Sequence, residues 1–573
     1  MEQWFAEQEE AARTISQLAW KESERPVQSE QTCLQVHDAM ATVVRGGPPW
    51  IDTMTGEQLD PKEVEAAQNR ERESLASFHT YQRVLKSEIL ADPESVVVPS
   101  RWLIVKKPDG QVKARLIAQQ LNLGSPMDTF AATAPSTSAR VLLALAGRHL
   151  KAGSDWVVRI GDVSTAFLHA CIPESRHIVV IPPVGEEEPE YLWRMLKALY
   201  GLRESPRLFQ EHLAQVTQSR GWTRLRMDPQ LYVHLETGAV MSVFADDLLI
   251  IMPRAKEEQV RRTLDEKLKI KWGAEIDLTW TRYLGREWCQ VARGEFAVRM
   301  PLQYWAELLE EAGLRESRAL STPAELGQQN LESEEVLEAT EKAQYRRFVG
   351  KLLFATQVRP DIAYVAKECA RHVQKPTRAD MVRLRHLLRY LRGTQDMELH
   401  LNVRASMPSP PGELLCLTDA NWADGPSRRS TSGGLLVYEN VLLLTWSRTQ
   451  AVVALSSCEA ELLALTVALQ EAMFVKSVLE ELREEAHISV RTDSSSARAV
   501  VHRRGAGRLK HIALRELWLQ DEYRKGSFEL SAIATAANVA DLLTKVMAGA
   551  RHRWLADALG LRREWQAGQG QPE

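Results

Sequence analysis

The spacing of apolar and polar positions changes several times along the chain, and each change marks the boundary of a predicted element. Apolar runs bounded by turn residues predict strands, and runs with a helical period predict helices. The turn Lys107-Pro108-Asp109-Gly110 lies between two apolar runs and therefore predicts a hairpin. The elements predicted in the first half are strands at 96–105 and around 116–117, a helix at about 138–150, a strand at 156–162, a helix after Gly201 and a strand at 239–251.

The second half is helical up to a short proline-rich segment and mixed beyond it. Helices are predicted at 257–268, at 302–311 and within 343–390. The segment ASMPSPPG, at 405–412, cannot continue a helix, so we place a domain boundary there. The predicted order beyond it is three strands, a helix, a strand and a helix, which indicates a small mixed sheet with helices packed on it.

Composition bounds the class of protein. With 573 residues, of which 44% are hydrophobic, the chain is long enough for several globular domains. Its six cysteines form no CxxC pair, which argues against a zinc ribbon or a disulfide framework and favours a reducing compartment. No apolar run reaches the roughly 18 residues that span a bilayer, and the acidic first residues are unlike a secretory signal. We therefore expect no membrane partner.

The net charge of −4 counts against a nucleic-acid partner, because phosphate contacts require cations. The charge is unevenly distributed, however: residues 341–400 contain 13 Lys and Arg against 6 Asp and Glu. Six of these basic residues are candidates to follow a duplex backbone: Arg346, Arg347, Lys351, Arg383, Arg385 and Arg389. The alternative is a solvated helix face without a ligand.

A first group of carboxylates lies on predicted strands. Asp162 ends the strand VVRIGD, and Asp246 and Asp247 interrupt the apolar run VFADDLLI. Two aspartates inside a buried strand are costly unless they meet cations or water. Aspartate oxygens suit Mg²⁺, and paired ions catalyse phosphoryl transfer. The alternative is a surface hairpin that carries two aspartates by chance.

A second group follows the proline-rich segment. Asp419, Glu461, Asp493 and Asp541 lie at predicted strand and helix ends, and this order on the mixed framework resembles ribonuclease H. Four carboxylates around two Mg²⁺ ions suit hydrolysis of a phosphodiester. Glu459 competes with Glu461 for one position, but Ser456 and Glu459 form a capping box that gives Glu459 a structural role. We therefore assign Glu461 to the site.

Six blocks in the first half occur in a characteristic order: SRWLIVKKPDGQVKARLIAQ, IGDVSTAFLHACIPE, LWRMLKALYGLRESPRLFQEHL, DPQLYV, FADDLLI and YLGREW. Together they resemble the reverse transcriptase of copia-type long-terminal-repeat retrotransposons, and the resemblance extends from about Val98 to Met547. It implies an α+β right-hand polymerase with fingers, palm and thumb, followed by a mixed α/β RNase H-like domain. The implied activities are RNA-directed DNA synthesis and cleavage of RNA in RNA–DNA hybrids.

The resemblance, with the element pattern, predicts five regions: an N-terminal helical extension or linker at 1–95, fingers and palm at 96–255, primer grip, thumb and connection at 256–403, the RNase H-like domain at 412–548 and a C-terminal tail at 549–573. Since no block resembles a protease or an integrase, we expect the chain to be the C-terminal part, or a fragment, of a Pol polyprotein.

The resemblance also implies roles for individual residues. Asp162, Asp246 and Asp247 correspond to the polymerase carboxylates, with Phe244 in place of the commoner Tyr and Ala245 in place of a common Val. The residues implied to bind the nucleotide are Lys113 and Arg115 at the triphosphate, Phe167 against the sugar, and Tyr200 and Gly201 near the template. Those implied to bind nucleic acid are Tyr283 and Gly285 in a primer-positioning hairpin, Arg428 at a phosphate, and Lys510 and His511. A plain core role for Phe167 and an ordinary hairpin at 283–285 are the alternatives.

The expected partners are an RNA template, a DNA primer, an RNA–DNA hybrid and deoxynucleoside triphosphates. The expected cofactor is Mg²⁺, two ions per active site, with Mn²⁺ as its substitute. The resemblance places the protein in the cytoplasm within a virus-like particle, in the nucleus, or in both. Two other functions stay open: an inactive or co-opted nucleic-acid-binding remnant, and a metal-dependent phosphatase, which leaves the other ordered blocks unexplained.

Overall fold

The computed structural model describes residues 50–53, 55–107, 109–120, 129, 131, 136–327, 333–403, 410–423, 427–505 and 514–563. The chain divides into two compact units, each built from several segments. Unit 1 comprises Met1–Thr133, Val163–Gly221 and Arg262–Lys271, and unit 2 comprises Ala134–Asp162, Trp222–Arg261 and Trp272–Glu573. Lys510 and His511 lie outside the described residues, as do Pro108 and most of the proline-rich segment.

The strands are β1 Tyr81–Leu85, β2 Val96–Lys106, β3 Val112–Ala118, β4 Trp156–Val163, β5 Ile178–Ile181, β6 Tyr191–Met195, β7 Trp222–Arg224, β8 Leu231–His234, β9 Ala239–Phe244, β10 Asp247–Pro253, β11 Ile270–Glu275, β12 Thr281–Tyr283, β13 Arg286–Ala292, β14 Glu295–Arg299, β15 Met397–His400, β16 Glu413–Asn421, β17 Thr431–Tyr438, β18 Val441–Thr449, β19 His487–Thr492, β20 Glu529–Ala532 and β21 Leu561–Arg563.

The α-helices are α1 Pro61–Ser77, α2 Lys86–Ala91, α3 Ser136–Lys151, α4 Ala166–His169, α5 Ser205–Gln218, α6 Glu257–Asp265, α7 Leu302–Glu311, α8 Ala339–Ala355, α9 Ala363–Ala370, α10 Arg378–Arg392, α11 Ser457–Glu481, α12 Ser495–His502, α13 Leu514–Lys525 and α14 Gly549–Ala558. Short 3-10 helices cover Arg254–Lys256, Pro360–Ile362, Thr535–Ala537 and Val539–Leu543.

Unit 1 contains a sheet with the strand order β1-β6-β5-β2-β3. Helix α1 begins with Pro61, and the carboxylate of Asp60 accepts a hydrogen bond from the Lys62 backbone N–H, which caps the helix. Apolar residues of α1 share a small core with β2 and β3. Strand β1 and helix α2 contribute to a second small core with β5 and β6. The described part of the predicted extension at 1–95 therefore belongs to the same unit as β2 and β3, which corrects that boundary.

Unit 2 contains three sheets, with the strand orders β11-β4-β10-β9-β8-β7, β12-β13-β14-β15-β21 and β18-β17-β16-β19-β20. One continuous apolar core runs through the unit, from α3 to β21. In the third sheet β19 is parallel to both β16 and β20, and the remaining pairs are antiparallel. Strand β21 pairs with β15, so the described residues of the predicted tail at 549–573 are part of the packed unit.

The predicted strand at 239–251 is wrong in one respect, because the chain reverses at its centre. Strands β9 and β10 form an antiparallel hairpin with Ala245 and Asp246 as its turn. The predicted helical stretch 343–390 is divided into α8, α9 and α10, with Pro360 and Pro376 between them. Proline lacks the amide donor that a helix interior needs, which explains both interruptions.

Helix α11 is the one helix in the described parts of the chain that is long and apolar enough to cross a membrane by length and composition alone. However, 61% of its most apolar stretch is buried inside the protein. It packs against β16, β17 and β19, as expected of the core helix of a sheet domain.

A fully buried ion pair joins the helical segments of unit 2. The guanidinium of Arg359 donates two hydrogen bonds to Asp361, of 3.0 and 2.8 Å, and one to the Thr394 carbonyl of 2.7 Å. The Tyr390 hydroxyl donates to the same carboxylate at 2.6 Å. Burial raises the pKa of Asp361, but the Arg359 guanidinium and these hydrogen bonds outweigh it and hold the pKa below its usual range. The pair thus fixes Pro360–Ile362 against α10.

We expect Arg359→Met to destabilise unit 2 by about 3–5 kcal/mol, because it leaves a buried carboxylate without its partner. The matched control is Arg315→Met, since Arg315 pairs with Glu310 at the surface and solvent-exposed ion pairs contribute little to stability. Denaturant titration of both variants measures the difference, and equal effects on stability would contradict the assigned role.

Candidate active sites

The first carboxylate cluster forms at the β9–β10 hairpin of unit 2. Asp247 is the register partner of Asp162 on β4 and of Phe244 on β9. Side chains of directly paired residues lie on the same face of a sheet, so the backbone register brings these three together. Asp246 is in the adjoining turn, where Ala245 has a φ of 54°. For a residue other than glycine this left-handed conformation costs about 1–3 kcal/mol.

Burial and electrostatic repulsion act together on this cluster. Burial, and then the charges of Asp246 and Asp162, raise the pKa of Asp247 to about 6. A cation beside these carboxylates would relieve the repulsion and favour their ionised forms. Their oxygen atoms do not all lie within 4.8 Å of one another, which distinguishes this cluster from the second one among the residues that the structure describes.

The predicted nucleic-acid contact of Tyr283 is wrong, because Tyr283 is a core residue with only 3% of its surface exposed. Burial, and then the charge of Asp247, raise the pKa of the Tyr283 hydroxyl, so this hydroxyl lies near the first cluster on the core side. Gly285 is exposed in the turn between β12 and β13, where Leu284 and Gly285 have φ values of 50° and 72°. Of the two predicted residues, only Gly285 is accessible to a ligand.

Unit 1 brings together the residues implied to bind the nucleotide. The Arg115 guanidinium lies 4.4 Å above the centre of the Tyr200 ring, and the Phe167 ring meets Tyr200 edge to face at 4.8 Å. Lys113 is on the same strand and is exposed, while Arg115, Phe167 and Tyr200 are partly buried. The five predicted residues thus form a basic and aromatic surface on unit 1.

Gly201 is required by a close approach of two backbones. The Tyr200 carbonyl accepts a 2.7 Å hydrogen bond from the Ala118 N–H at the end of β3. Gly201 has a φ of 87°, and a Cβ atom there would lie 1.9 Å from the Ala118 carbonyl oxygen. Any side chain would separate Tyr200 from the strand that carries Lys113 and Arg115.

Glu71 of α1 is buried against β3, the strand that carries Lys113 and Arg115. The sequence motifs did not indicate this residue. Its carboxylate accepts a 3.3 Å hydrogen bond from the Leu116 N–H. Burial raises the pKa of Glu71, while the hydrogen bond from Leu116 and the charges of Arg115 and Lys113 lower it in part. Only the packing of α1 on β3 reveals the contact between Glu71 and Leu116, because these two residues are far apart in the sequence.

The second cluster is at one edge of the third sheet of unit 2. Asp419 is near the end of β16, and Asp493 follows β19, the parallel neighbour of β16. Glu461 is on α11, which packs across these strands. One carboxylate oxygen from each of the three residues lies within 4.8 Å of the other two. Glu459 lies outside this trio, and its carboxylate accepts a hydrogen bond from the Leu455 N–H.

The charges of the trio are strongly coupled. Burial, and then the charges of Asp419 and Asp493, raise the pKa of Glu461 to about 8. Burial also raises the pKa of Asp419, against the opposing effects of Lys545 and Thr544. The Glu461 Oε2 atom is buried and has no hydrogen-bond partner within the described part of the chain. An unpartnered carboxylate oxygen beside two others suits a divalent cation.

Asp541, the fourth predicted carboxylate, lies beside the trio in the 3-10 helix Val539–Leu543. Asn538 caps this helix by accepting a hydrogen bond from the Ala540 N–H, and its amide donates to the Thr418 carbonyl at 3.1 Å. The helix approaches β17 at Gly433, where a Cβ atom would lie 2.5 Å from the Thr544 methyl group. Gly433 therefore lets Asp541 come close to Asp419.

Two cations hold Asp541, and the sequence motifs indicated neither of them. Lys545 Nζ lies 2.6 Å from Asp541 Oδ1, and Arg551 Nη2 lies 3.4 Å from Asp541 Oδ2. The Thr544 hydroxyl donates to Asp419. The available signal was the spacing of four residues between Asp541 and Lys545, because side chains four residues apart are neighbours on a helix surface.

The remaining basic candidates have separate environments. Arg428 is exposed and has a φ of 54°. Within the basic segment, Glu311 and Asp380 neutralise three side chains: Arg347, Lys351 and Arg383. Two further candidates, Arg385 and Arg389, line an open cleft of about 870 Å³ together with Arg318 and His386. Only part of the predicted basic surface is thus available to an anionic ligand.

Comparison with known proteins agrees with the ordered motifs. Residues 88–326 match the family described as reverse transcriptase (RNA-dependent DNA polymerase). The chain is 27% identical over 476 residues to the Pol polyprotein of transposon RE2 of Arabidopsis thaliana, covering 79% of this chain and 31% of that protein. It is 27% identical over 488 residues to the Pol polyprotein of transposon TNT 1-94 of Nicotiana tabacum, covering 78% and 34%.

Among solved structures, the foamy viral protease-reverse transcriptase in complex with double-stranded DNA superposes with a TM-score of 0.47 and 12% identity, covering 91% of this chain and 97% of that one. The chain spans about a third of the length of the curated Pol polyproteins that it matches.

Residues 88–326 thus match a reverse transcriptase domain of the kind found in Pol polyproteins of long-terminal-repeat retrotransposons. Within that class, the predicted resemblance to the copia-type Pol polyprotein is confirmed.

We expect binding of a divalent ion to the second cluster to release about one proton near pH 7, because Glu461, with a pKa of about 8, must ionise to become a ligand. The apparent affinity should therefore rise with pH and level off above about pH 8. Mn²⁺ titration calorimetry in buffers with different heats of ionisation measures the proton release. Glu461→Gln should abolish it and Glu480→Gln, a surface change on the same helix, should not; heats independent of the buffer would contradict the assignment.

Proposed function

We propose that this chain is an RNA-directed DNA polymerase joined to a ribonuclease that cleaves the RNA strand of RNA–DNA hybrids. The polymerase proposal rests on Asp162 and Asp247, which are register partners on one face of a sheet, with Asp246 in the adjoining turn. Residues 88–326, which match the reverse transcriptase family, include all three. We identify unit 1 with the fingers and the β4–β10–β9 region with the palm.

The nuclease proposal rests on the trio Asp419, Glu461 and Asp493. Asp419 and Asp493 lie at the ends of two parallel neighbouring strands of a mixed sheet, and Glu461 lies on α11, which packs across them. Asp541 adds a fourth carboxylate beside Asp419. This arrangement supports the RNase H-like assignment of residues 412–548.

Both clusters suit divalent ions, and we propose Mg²⁺, with Mn²⁺ as its substitute. Such ions would activate the attacking oxygen and stabilise the departing one in phosphoryl transfer. In the polymerase, Asp162, Asp246 and Asp247 would orient the primer 3′-hydroxyl toward a deoxynucleoside triphosphate. In the nuclease, the trio would orient water toward a phosphodiester of the RNA strand.

The basic and aromatic surface of unit 1 is proposed to bind the nucleotide. Lys113 and Arg115 supply positive charge for triphosphate oxygens. Phe167 lies against Tyr200 and is only partly buried, so one face of the ring is available to a sugar. Gly201 holds Tyr200 close to β3. We propose an RNA template and a DNA primer as the macromolecular ligands.

The two activities should separate by mutation. We expect Asp246→Asn to reduce extension of a DNA primer on an RNA template by at least about a hundredfold, with hybrid cleavage retained. Glu461→Gln should have the reverse effect. Both assays use the full chain with Mg²⁺, and a labelled RNA strand reports cleavage.

Matched controls for this experiment change exposed carboxylates in the same unit. Asp155→Asn alters a residue that pairs with Arg254 at the surface, and Glu480→Gln alters the solvent-facing side of α11. Both controls should keep both activities. Absence of synthesis and cleavage by the wild-type chain would instead favour the inactive remnant.

We expect Phe167→Val to raise the use of ribonucleotides relative to deoxyribonucleotides, because a smaller side chain leaves room for a 2′-hydroxyl. Single-nucleotide extension kinetics with both sugars measures the ratio. The control is Phe209→Leu, since Phe209 is fully buried 6.2 Å from Phe167 and should affect stability alone. If Phe167→Val lowers only the thermal midpoint and leaves the sugar ratio unchanged, Phe167 is a plain core residue.

A further inference from the structure

The four carboxylates of the second cluster have unequal electrostatic environments. Lys545 Nζ lies between two of them, 2.6 Å from Asp541 Oδ1 and 3.4 Å from Asp419 Oδ2. Among the described residues, ion pairs reach Asp419 and Asp541, but none reaches Glu461 or Asp493. The Asn538 amide lies 3.5 Å from Asp493 Oδ1, and Glu461 Oε2 has no partner. One side of the cluster is thus neutralised from within the protein, and the other is not.

The packing of the segment that carries Asp541 and Lys545 brings the Lys545 side chain to these carboxylates. Lys545 follows Asp541 by four residues, and the 3-10 helix that carries Asp541 is packed on β17 at Gly433. The Thr544 hydroxyl donates to Asp419, and Arg551 approaches the other oxygen of Asp541. A divalent ion between Asp419 and Asp541 would have to displace the ammonium and break both of its ion pairs, whereas an ion in the trio displaces no cation.

We propose that Lys545 acts as a built-in counter-ion that divides the nuclease centre into a tight and a weak ion position. The trio Asp419, Glu461 and Asp493 binds one divalent ion tightly, and Lys545 occupies the place that a second ion would take between Asp419 and Asp541. This inference rests on the proposed nuclease function. It concerns ion stoichiometry, which is measured without any turnover.

The test counts bound ions in the full chain. Asp246→Asn combined with Asp247→Asn first removes the polymerase carboxylates, so that the remaining tight binding reports the nuclease centre. Titration with Mn²⁺, followed by the electron paramagnetic resonance of the free ion, should show one tight ion in this background. Adding Lys545→Met should lower the dissociation constant of a second ion by at least about tenfold, because it removes one positive charge a few ångströms from the place where that ion would bind.

Two further variants test the role of charge. Lys545→Arg keeps the positive charge and should therefore retain one tight ion. This comparison separates the effect of charge from any loss of stability that Lys545→Met causes in the absence of metal. Lys525→Met removes an exposed lysine that pairs with Glu522 in the same domain, and it should change the binding of neither ion. Mn²⁺ should raise the thermal midpoint of the Lys545→Met protein more than that of its parent, because the nuclease centre of the variant binds two ions and that of the parent binds one.

The outcomes distinguish the inference from the function on which it rests. Two equally tight ions in the parent, unchanged by Lys545→Met, would overturn the role of Lys545 and leave the nuclease proposal intact. No tight ion in either protein would overturn the nuclease centre itself. One tight ion in the parent and two in Lys545→Met, with Glu461→Gln removing the tight ion of the parent, is the result that supports the inference.

Discussion

Repulsion between carboxylates held side by side by the backbone is the constraint on which both candidate sites depend. In water such groups move apart or bind protons, but strand register and helix packing prevent the first response here. Asp247 and Glu461 have raised pKa values, which burial causes first and the neighbouring carboxylates increase further. A cation removes the repulsion more completely than a proton, because several oxygen atoms can share its charge. The sites are therefore strained without cations and suited to bind them.

The scaffold meets this constraint in two different ways. The first cluster relies on the register of an antiparallel hairpin, which places Asp247 opposite Asp162. The second relies on parallel neighbouring strands with a helix across them, which gathers one oxygen from each of three residues. Within the second cluster, Lys545 neutralises one side while Glu461 keeps an unpartnered oxygen. Internal cations thus determine which part of an acidic cluster remains available to a metal.

The differences between sequence and structure have specific physical causes. Tyr283 was expected to contact nucleic acid, but an aromatic residue suits a ligand surface and a core equally well, and here it is buried. Residues 61–91 looked like a charged extension, because α1 buries only a narrow stripe and exposes polar side chains elsewhere. The support that Glu71 gives to β3 depends on a hydrogen bond across 45 residues, which no local pattern reveals.

The sequence alone indicated many of the elements, the two groups of carboxylates and the resemblance to copia-type Pol polyproteins, because periodicity and ordered motifs are local properties of a chain. It also separated Glu461 from Glu459, since the N-cap at Ser456 is a short-range pattern. Tertiary structure alone decided which carboxylates share a site, that β9 and β10 form a hairpin, and that Lys545 lies between Asp419 and Asp541. These features depend on distances between residues far apart in the chain, and packing sets those distances.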